Sequence, residues 1–196
     1  MQQSWVGTLV SAQVAGPQLS NSVTQTSVLP TSARITLPPG LFTYAGQMMR
    51  ITFAGSVSNV VTTPGTINFA VMLGATGASN VWNSGALQMS TTAHTSLPIW
   101  GEINVVCRAI GNGTSANLYG LGTFTSQVLS NTAVADSVAS SLPTLIGQNV
   151  APVVPVAGSV GFDSTIANVL DFMVTFSVAT NPTNFTLQFY AAEMLN

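Results

Sequence analysis

The sequence predicts an all-β antiparallel sandwich, and three observations predict it. Apolar residues recur at every second position through many short segments; Gly, Pro and Asn clusters separate those segments; and no stretch carries a helical apolar period of useful length. Alternation puts every second side chain on one face of a sheet, and short strands divided by turn signals pack as two layers around one core.

Residues 1–45 are the first element. They are rich in Ser, Thr, Gln, Val and Pro up to residue 39, and their alternation is weak. They are expected to form an extended N-terminal arm, an attachment segment that packs on a neighbour, with residues 46–196 as the sandwich domain. Ile51, Phe53, Gly55 and Val57 alternate with small polar residues, and Pro64-Gly65 supplies a turn. Ile67, Phe69, Val71 and Leu73 repeat the pattern before a small-residue loop at 74–80. Pro98 opens the longest strand candidate, with Ile99, Gly101, Ile103, Val105 and Cys107 on one face and Trp100, Glu102, Asn104, Val106 and Arg108 on the other. Residues 118–128 follow, where Gly120 and Gly122 predict a bulge or a close backbone approach. Residues 129–155 read as a crossing loop with a short helix near 133–140, because Pro143, Pro152 and Pro155 oppose regular structure. Leu170, Phe172, Val174, Phe176 and Val178 alternate next, Asn181-Pro182 turns the chain, and Phe185, Leu187, Phe189 and Ala191 close it. Among sandwiches, a jelly roll fits best.

Composition narrows the function. At 196 residues the chain has room for one sizeable core, and 46% hydrophobic content excludes disorder. Only 4% of residues are charged: Arg34, Arg50 and Arg108 face five acids, for a net charge of −2. Soluble domains ordinarily carry about a quarter of their residues as Asp, Glu, Lys or Arg. A neutral polar surface suits a protein packed against copies of itself or a large assembly, where each desolvated charge costs several kcal/mol unless paired. Three cations leave almost nothing to neutralise phosphates, so no nucleic-acid partner is expected. No apolar run approaches the roughly 20 residues of a membrane span, and residues 1–10 lack the basic and continuous apolar regions of a secretory signal, so neither a membrane partner nor Sec-type export is expected.

Chemical constellations are sparse. His94 is the lone histidine, and no Gly-x-Ser-x-Gly elbow accompanies it, so no catalytic residue is assigned and no enzyme is expected. Cys107 alternates onto the apolar face and reads as a buried structural thiol. One Cys and one His cannot form a zinc site, and Asp163 with Asp171, eight residues apart, read as turn and strand carboxylates. No cofactor or metal is expected. The candidate interface residues are Trp5, Trp82, Trp100, Arg50, Glu102 and Arg108. Trp5, on the arm, reads as an anchor for a partner's pocket, the kind that dominates interfaces. A core position is the stronger reading of Trp82 and Trp100 against a ligand contact, and Glu102 or Arg108 is expected to bridge to Arg50 or Asp171 across strands or subunits.

Four stretches carry a resemblance. Asn83-Ser84-Gly85-Ala86-Leu87-Gln88-Met89, then Leu97-Pro98-Ile99-Trp100-Gly101-Glu102 running into residues 105–111, resemble a module of tailed-bacteriophage virion proteins with a Gly-Ala-Leu strand and a Pro-Trp-x-x-Glu strand. Gly122-Thr123-Phe124 is similar to its Gly-x-Phe strand, and Gly161-Phe162-Asp163-Ser164-Thr165 to its Asp-Thr-Thr element. The similarity runs over residues 48–195 and departs from the pattern at Ile99, which separates Pro98 from Trp100. The resemblance implies a trimeric, tumour-necrosis-factor-like jelly roll in a virion assembled in the bacterial cytoplasm: a head decoration or head fibre that binds itself and the major capsid protein or another virion protein. The alternative is a receptor-binding or lectin-like fibre tip that takes a host-surface glycan on exposed loops such as 74–80. A small-virus capsid protein ranks below both, because no Lys or Arg precedes Arg34 to meet a genome.

Overall fold

The structure is a computed structural model that describes residues 6–60, 63–129, 144–147 and 161–195. Among these residues the chain is an antiparallel sandwich of two sheets with no α-helix.

The first sheet, A, is built on β5 (Met48–Asn59), β9 (His94–Ala109), β10 (Asn117–Thr125) and β13 (Asn184–Leu195), with β1 (Val6–Ala12) and β11 (Thr144–Gly147) at its edges and β2 (Leu19–Ser20) pairing with β13. Its order is β1-β13-β5-β9-β10-β11. The second sheet, B, runs β3 (Thr26–Ser27), β12 (Asn168–Phe176), β6 (Thr66–Leu73), β7 (Ser79–Asn83), with β4 (Ile35–Leu37) pairing to β12 and β8 (Leu87–Gln88) to β6. Alternation sorts the inner face from the outer one most plainly in β5. In β5, Met49, Ile51, Phe53 and Val57 are fully buried while Arg50, Thr52, Ala54 and Ser56 turn outward.

The two inner faces meet in an aromatic core. Phe69 stacks on Phe124 and Phe172 at ring-centroid distances of 5.2 and 5.9 Å, and Phe53 tilts against Phe69 and Phe172 at 5.0 and 4.8 Å. Each such contact adds about 0.5–1.5 kcal/mol beyond the area it buries. Glycines make the room. A Cβ on Gly101 would lie 2.4 Å from Phe53 Cε1, well inside carbon–carbon contact distance.

Gly120 and Gly122 follow the same logic around Trp82. The β9–β10 register is regular through both positions, its shift falling between Asn117 and Leu118, so they mark a close approach and not a bulge. Cβ atoms there would meet Trp82 Cδ1 at 2.7 Å and Trp82 Cζ2 and Cη2 at 2.9 Å. The indole lies flat in the trough these two bare α-carbons leave.

The segment 6–45, read from sequence as an arm, lies on the sandwich. β1 and β2 hydrogen-bond to β13, β3 and β4 to β12, and Val28, Leu29, Ala33, Leu37 and Phe42 belong to the core. Its weak alternation has a cause: β1 carries a register shift between Thr8 and Val10, and beyond it Pro17, Pro30, Pro38 and Pro39 divide the chain into two- and three-residue edge strands, too short to show a period. Most of the expected crossing loop 129–155, including the helix near 133–140, lies outside the described residues; within it, β11 pairs with β10.

Candidate functional site

Two surfaces offer themselves. The first is the outer face of sheet A. Cross-strand partners share a face, so registers can be read across it as rows. One row is Val6, Leu195, Met48, Val106 and Tyr119, each the Cα partner of the next, spanning β1, β13, β5, β9 and β10. It is wholly apolar apart from one phenol. Val6 is 58% exposed and Tyr119 46%. The next row places Glu193, Arg50, Asn104 and Leu121 side by side, Leu121 being 47% exposed, and a further row carries Phe189, Ala54 and Trp100.

The charges on this face are held by their neighbours. Arg50 donates from Nε and Nη2 to Glu193 Oε2 at 3.0 and 2.6 Å. Those bonds, then the Glu193 charge and in smaller part that of Glu102, raise the Arg50 guanidinium above its ordinary range. The pair is half in solvent and contributes no more than about 1 kcal/mol; its effect is to leave no uncompensated charge there. Glu102 accepts from Asn104 Nδ2 at 2.7 Å, and the Arg108 guanidinium lies 5.2 Å from the Tyr119 ring centroid, within cation–π range.

The sequence-predicted residues therefore divide. Arg50, Trp100, Glu102 and Arg108 share the outer face of sheet A, with Trp100 42% exposed. Trp82 does not join them. It is 1% exposed in the core, stacked on Phe124 at 6.3 Å. Trp5 lies outside the described residues. The expected bridges from Glu102 or Arg108 to Arg50 or Asp171 are replaced by two pairs the sequence did not indicate, Arg50–Glu193 and Arg34–Asp171.

Asp171 stands at the edge of β12, in the gap between its pairings to β3 and β4, and is completely buried. Ser27 Oγ donates to its Oδ1 at 2.6 Å, the Phe172 N–H donates to the same oxygen at 2.8 Å, and Arg34 Nε sits 2.9 Å from Oδ2. This carboxylate ties the 27–34 excursion to sheet B. Cys107 is buried, and desolvation pushes its thiol up, in keeping with a structural role. Asp163 closes a turn, accepting from Thr165 and from the Gly113 N–H. Among the described residues, no three His, Cys, Asp or Glu side chains come together as a metal-binding group, and no helix is long and apolar enough to cross a membrane.

The second surface is a recess on sheet B, where β6 begins and β12 ends. Its volume is about 250 Å³, and Gln25, Thr66, Asn68, Asn80, Thr175 and Ser177 line it. All six are neutral and polar. Sequence reasoning offered the 74–80 loop, which includes Asn80, for a glycan but missed this convergence, because the six residues come from separated segments and no composition bias marks them.

No family model matches the chain, and no curated protein matches it. Among solved structures it is similar to the CBM2 module of Lactobacillus casei BL23 phage J-1 evolved Dit, at 10% identity and a TM-score of 0.27, over 82% of this chain and 67% of that one.

Proposed function

We propose that the chain is a non-enzymatic structural protein of a bacteriophage virion, a jelly roll that trimerises through the outer face of sheet A and attaches to the major capsid protein as a decoration, cement or head-fibre component. The apolar row from Val6 to Tyr119 carries this reading. A five-strand band of apolar side chains on the solvent side of a sheet, with its few charges already paired, is suited to burial against a copy of itself. The strand order adds support: β1-β13-β5-β9 faces β3-β12-β6-β7, the eight-stranded arrangement of a jelly roll, with β10 and β11 extending one edge. The phage assignment draws on the Gly-Ala-Leu, Trp-x-Glu and Gly-x-Phe stretches in β8, β9 and β10.

Sedimentation of the purified chain tests the association. A species of three times the 20.2 kDa chain mass is expected, and Val106→Glu, which sets a charge in the middle of the row, should reduce it to single chains. Wild-type protein that stays monomeric at high micromolar concentration overturns the proposal. Imaging particles with and without the protein then locates it on the head or at the tail.

A second reading, a receptor-binding or lectin-like fibre tip, has the sheet B recess in its favour. It uses the same fold and the opposite face.

A further inference from the structure

The recess on sheet B differs from the rest of the surface in what its side chains leave undone. Asn68 and Thr175 are Cα partners on neighbouring strands, side by side on the wall, and neither side chain has a hydrogen bond among the described residues. Asn80 Oδ1 is shielded from solvent and takes no hydrogen bond from them either. Gln25 Nε2 reaches Met72 Sδ at 3.7 Å, a long contact to a weak acceptor. Ser177 alone among the six is fixed, its Oγ accepting the Thr66 N–H at 2.8 Å. Asn80 Oδ1, with no accessible surface, is out of a ligand's reach, whereas the half-exposed Asn68 and Thr175 side chains are open to one.

The chemistry of that ligand follows from the wall. Amides and hydroxyls donate and accept at once, as do sugar hydroxyls. A phosphate or carboxylate ligand would call for a cation in the wall, and none lines it; on this sheet Arg34 is engaged by Asp171. A peptide added as a strand would need a free backbone edge, whereas Asn68 and Thr175 stand on β6 and β12, which pair with each other. A volume of about 250 Å³ falls just below the range of about 300–1,000 Å³ usual for drug-sized ligands, which limits the occupant to about one ring. Ala86, which is exposed, adds apolar surface for the C–H face of such a ring.

We propose that this recess binds one neutral sugar residue of a surface glycan, with Asn68 and Thr175 supplying the hydrogen bonds. The inference rests on the receptor-binding reading and adds to it the place and the ligand class.

Saturation-transfer NMR on the full chain tests it, with glucose, galactose and N-acetylglucosamine as neutral probes and N-acetylneuraminate as the anionic one. At least one neutral sugar should bind and the anion should not. Asn68→Ala and the isosteric Thr175→Val should each weaken binding about tenfold, the change expected for one hydrogen bond. Asn104→Ala, on the opposite sheet, should leave binding unchanged. If none of the four sugars binds, the recess and the receptor-binding reading both fall. If a sugar binds equally well to both recess variants, the recess falls and the fibre-tip reading stands. Preference for N-acetylneuraminate overturns the ligand class.

Discussion

Gly122→Ala is the sharpest probe of how the core is built. The added Cβ would sit 2.9 Å from Trp82 Cζ2 and Cη2 and 3.1 Å from Phe124 Cε2, against the roughly 3.5–4.0 Å at which carbon pairs gain dispersion energy. The indole cannot swing away, because it is 1% exposed and stacked on Phe124. Overpacking of this kind costs about 1–3 kcal/mol, and the lower backbone entropy of Ala in the unfolded chain returns about 0.4–1 kcal/mol. A net loss of about 1–2 kcal/mol should lower Tm by about 2–8 °C in a chain of this size. Urea or thermal unfolding reads the loss, and a double-mutant cycle with Trp82→Leu assigns it, since the smaller side chain frees the trough and Gly122→Ala should then cost about 1 kcal/mol less. An equal loss in both backgrounds, or no loss in wild type, would refute the claim that this glycine exists to seat the indole.

Three further outcomes are expected. Arg34→Met leaves the buried Asp171 carboxylate without its cation and should cost about 2–3 kcal/mol in urea unfolding, part of which returns in the Arg34→Met/Asp171→Asn double variant. Tyr190 is fully buried, with no partner for its hydroxyl among the described residues; burial first and the Asp171 charge second hold its pKa far above the tyrosine range. With the folded value above the unfolded one, its contribution is intact below about pH 10 and declines as pH rises beyond. Tyr190→Phe should raise stability by up to about 1 kcal/mol at neutral pH and soften the alkaline loss measured by unfolding at successive pH values. Asp163 is displaced the other way, its carboxyl held low by the Thr165 hydroxyl and the Gly113 and Thr165 N–H groups. Its contribution is present above the unfolded carboxylate value near pH 4 and disappears as pH falls through the lower folded value, so Asp163→Asn should flatten the acid limb of the stability profile.

The sequence was readable where a strand is long and wet on one side. β5 and β9 alternate through their centres because one face meets the core and the other does not, whereas in β12 Asp171 is buried between Leu170 and Phe172, and in β13 the register shift between Leu187 and Phe189 turns Phe189 and Ala191, expected on one face with Phe185 and Leu187, outward and Tyr190 and Ala192 inward. Elsewhere the signal failed for identifiable reasons. Trp82 follows a Gly-rich loop, and the register shift between Val71 and Met72 breaks the period in the short β7, so nothing in the local pattern sent the indole inward. The clue lay 38 and 40 residues later, in the unexplained pair Gly120 and Gly122. Arg50 and Glu193 are 143 residues apart and become neighbours only through the β13–β5 register. The recess lacks even a distant marker, since Asn68 and Thr175 have the residue types of any outward strand position and acquire meaning only from what surrounds them.

Charge scarcity takes a more definite form once the partners are known. Among the described residues Arg34 is matched by Asp171, Arg50 by Glu193, Arg108 by the Tyr119 ring, Glu102 by Asn104, and Asp163 by its own turn. Every one of these ions works inside the chain, so association through sheet A should proceed without ion pairs between copies. Salt separates that mechanism from an electrostatic one. Steered or ion-paired association weakens steeply once the Debye length falls from about 10 Å at 0.1 M to about 3 Å at 1 M, whereas burial of an apolar band is indifferent to simple salt or strengthened by excluded ions such as sulfate. Sedimentation equilibrium at low and high NaCl should therefore return association constants within about twofold of each other, a difference below about 0.5 kcal/mol. A tenfold weakening at 1 M would mean that charges on this surface reach across to the neighbour, and the apolar row would lose its place as the seat of assembly.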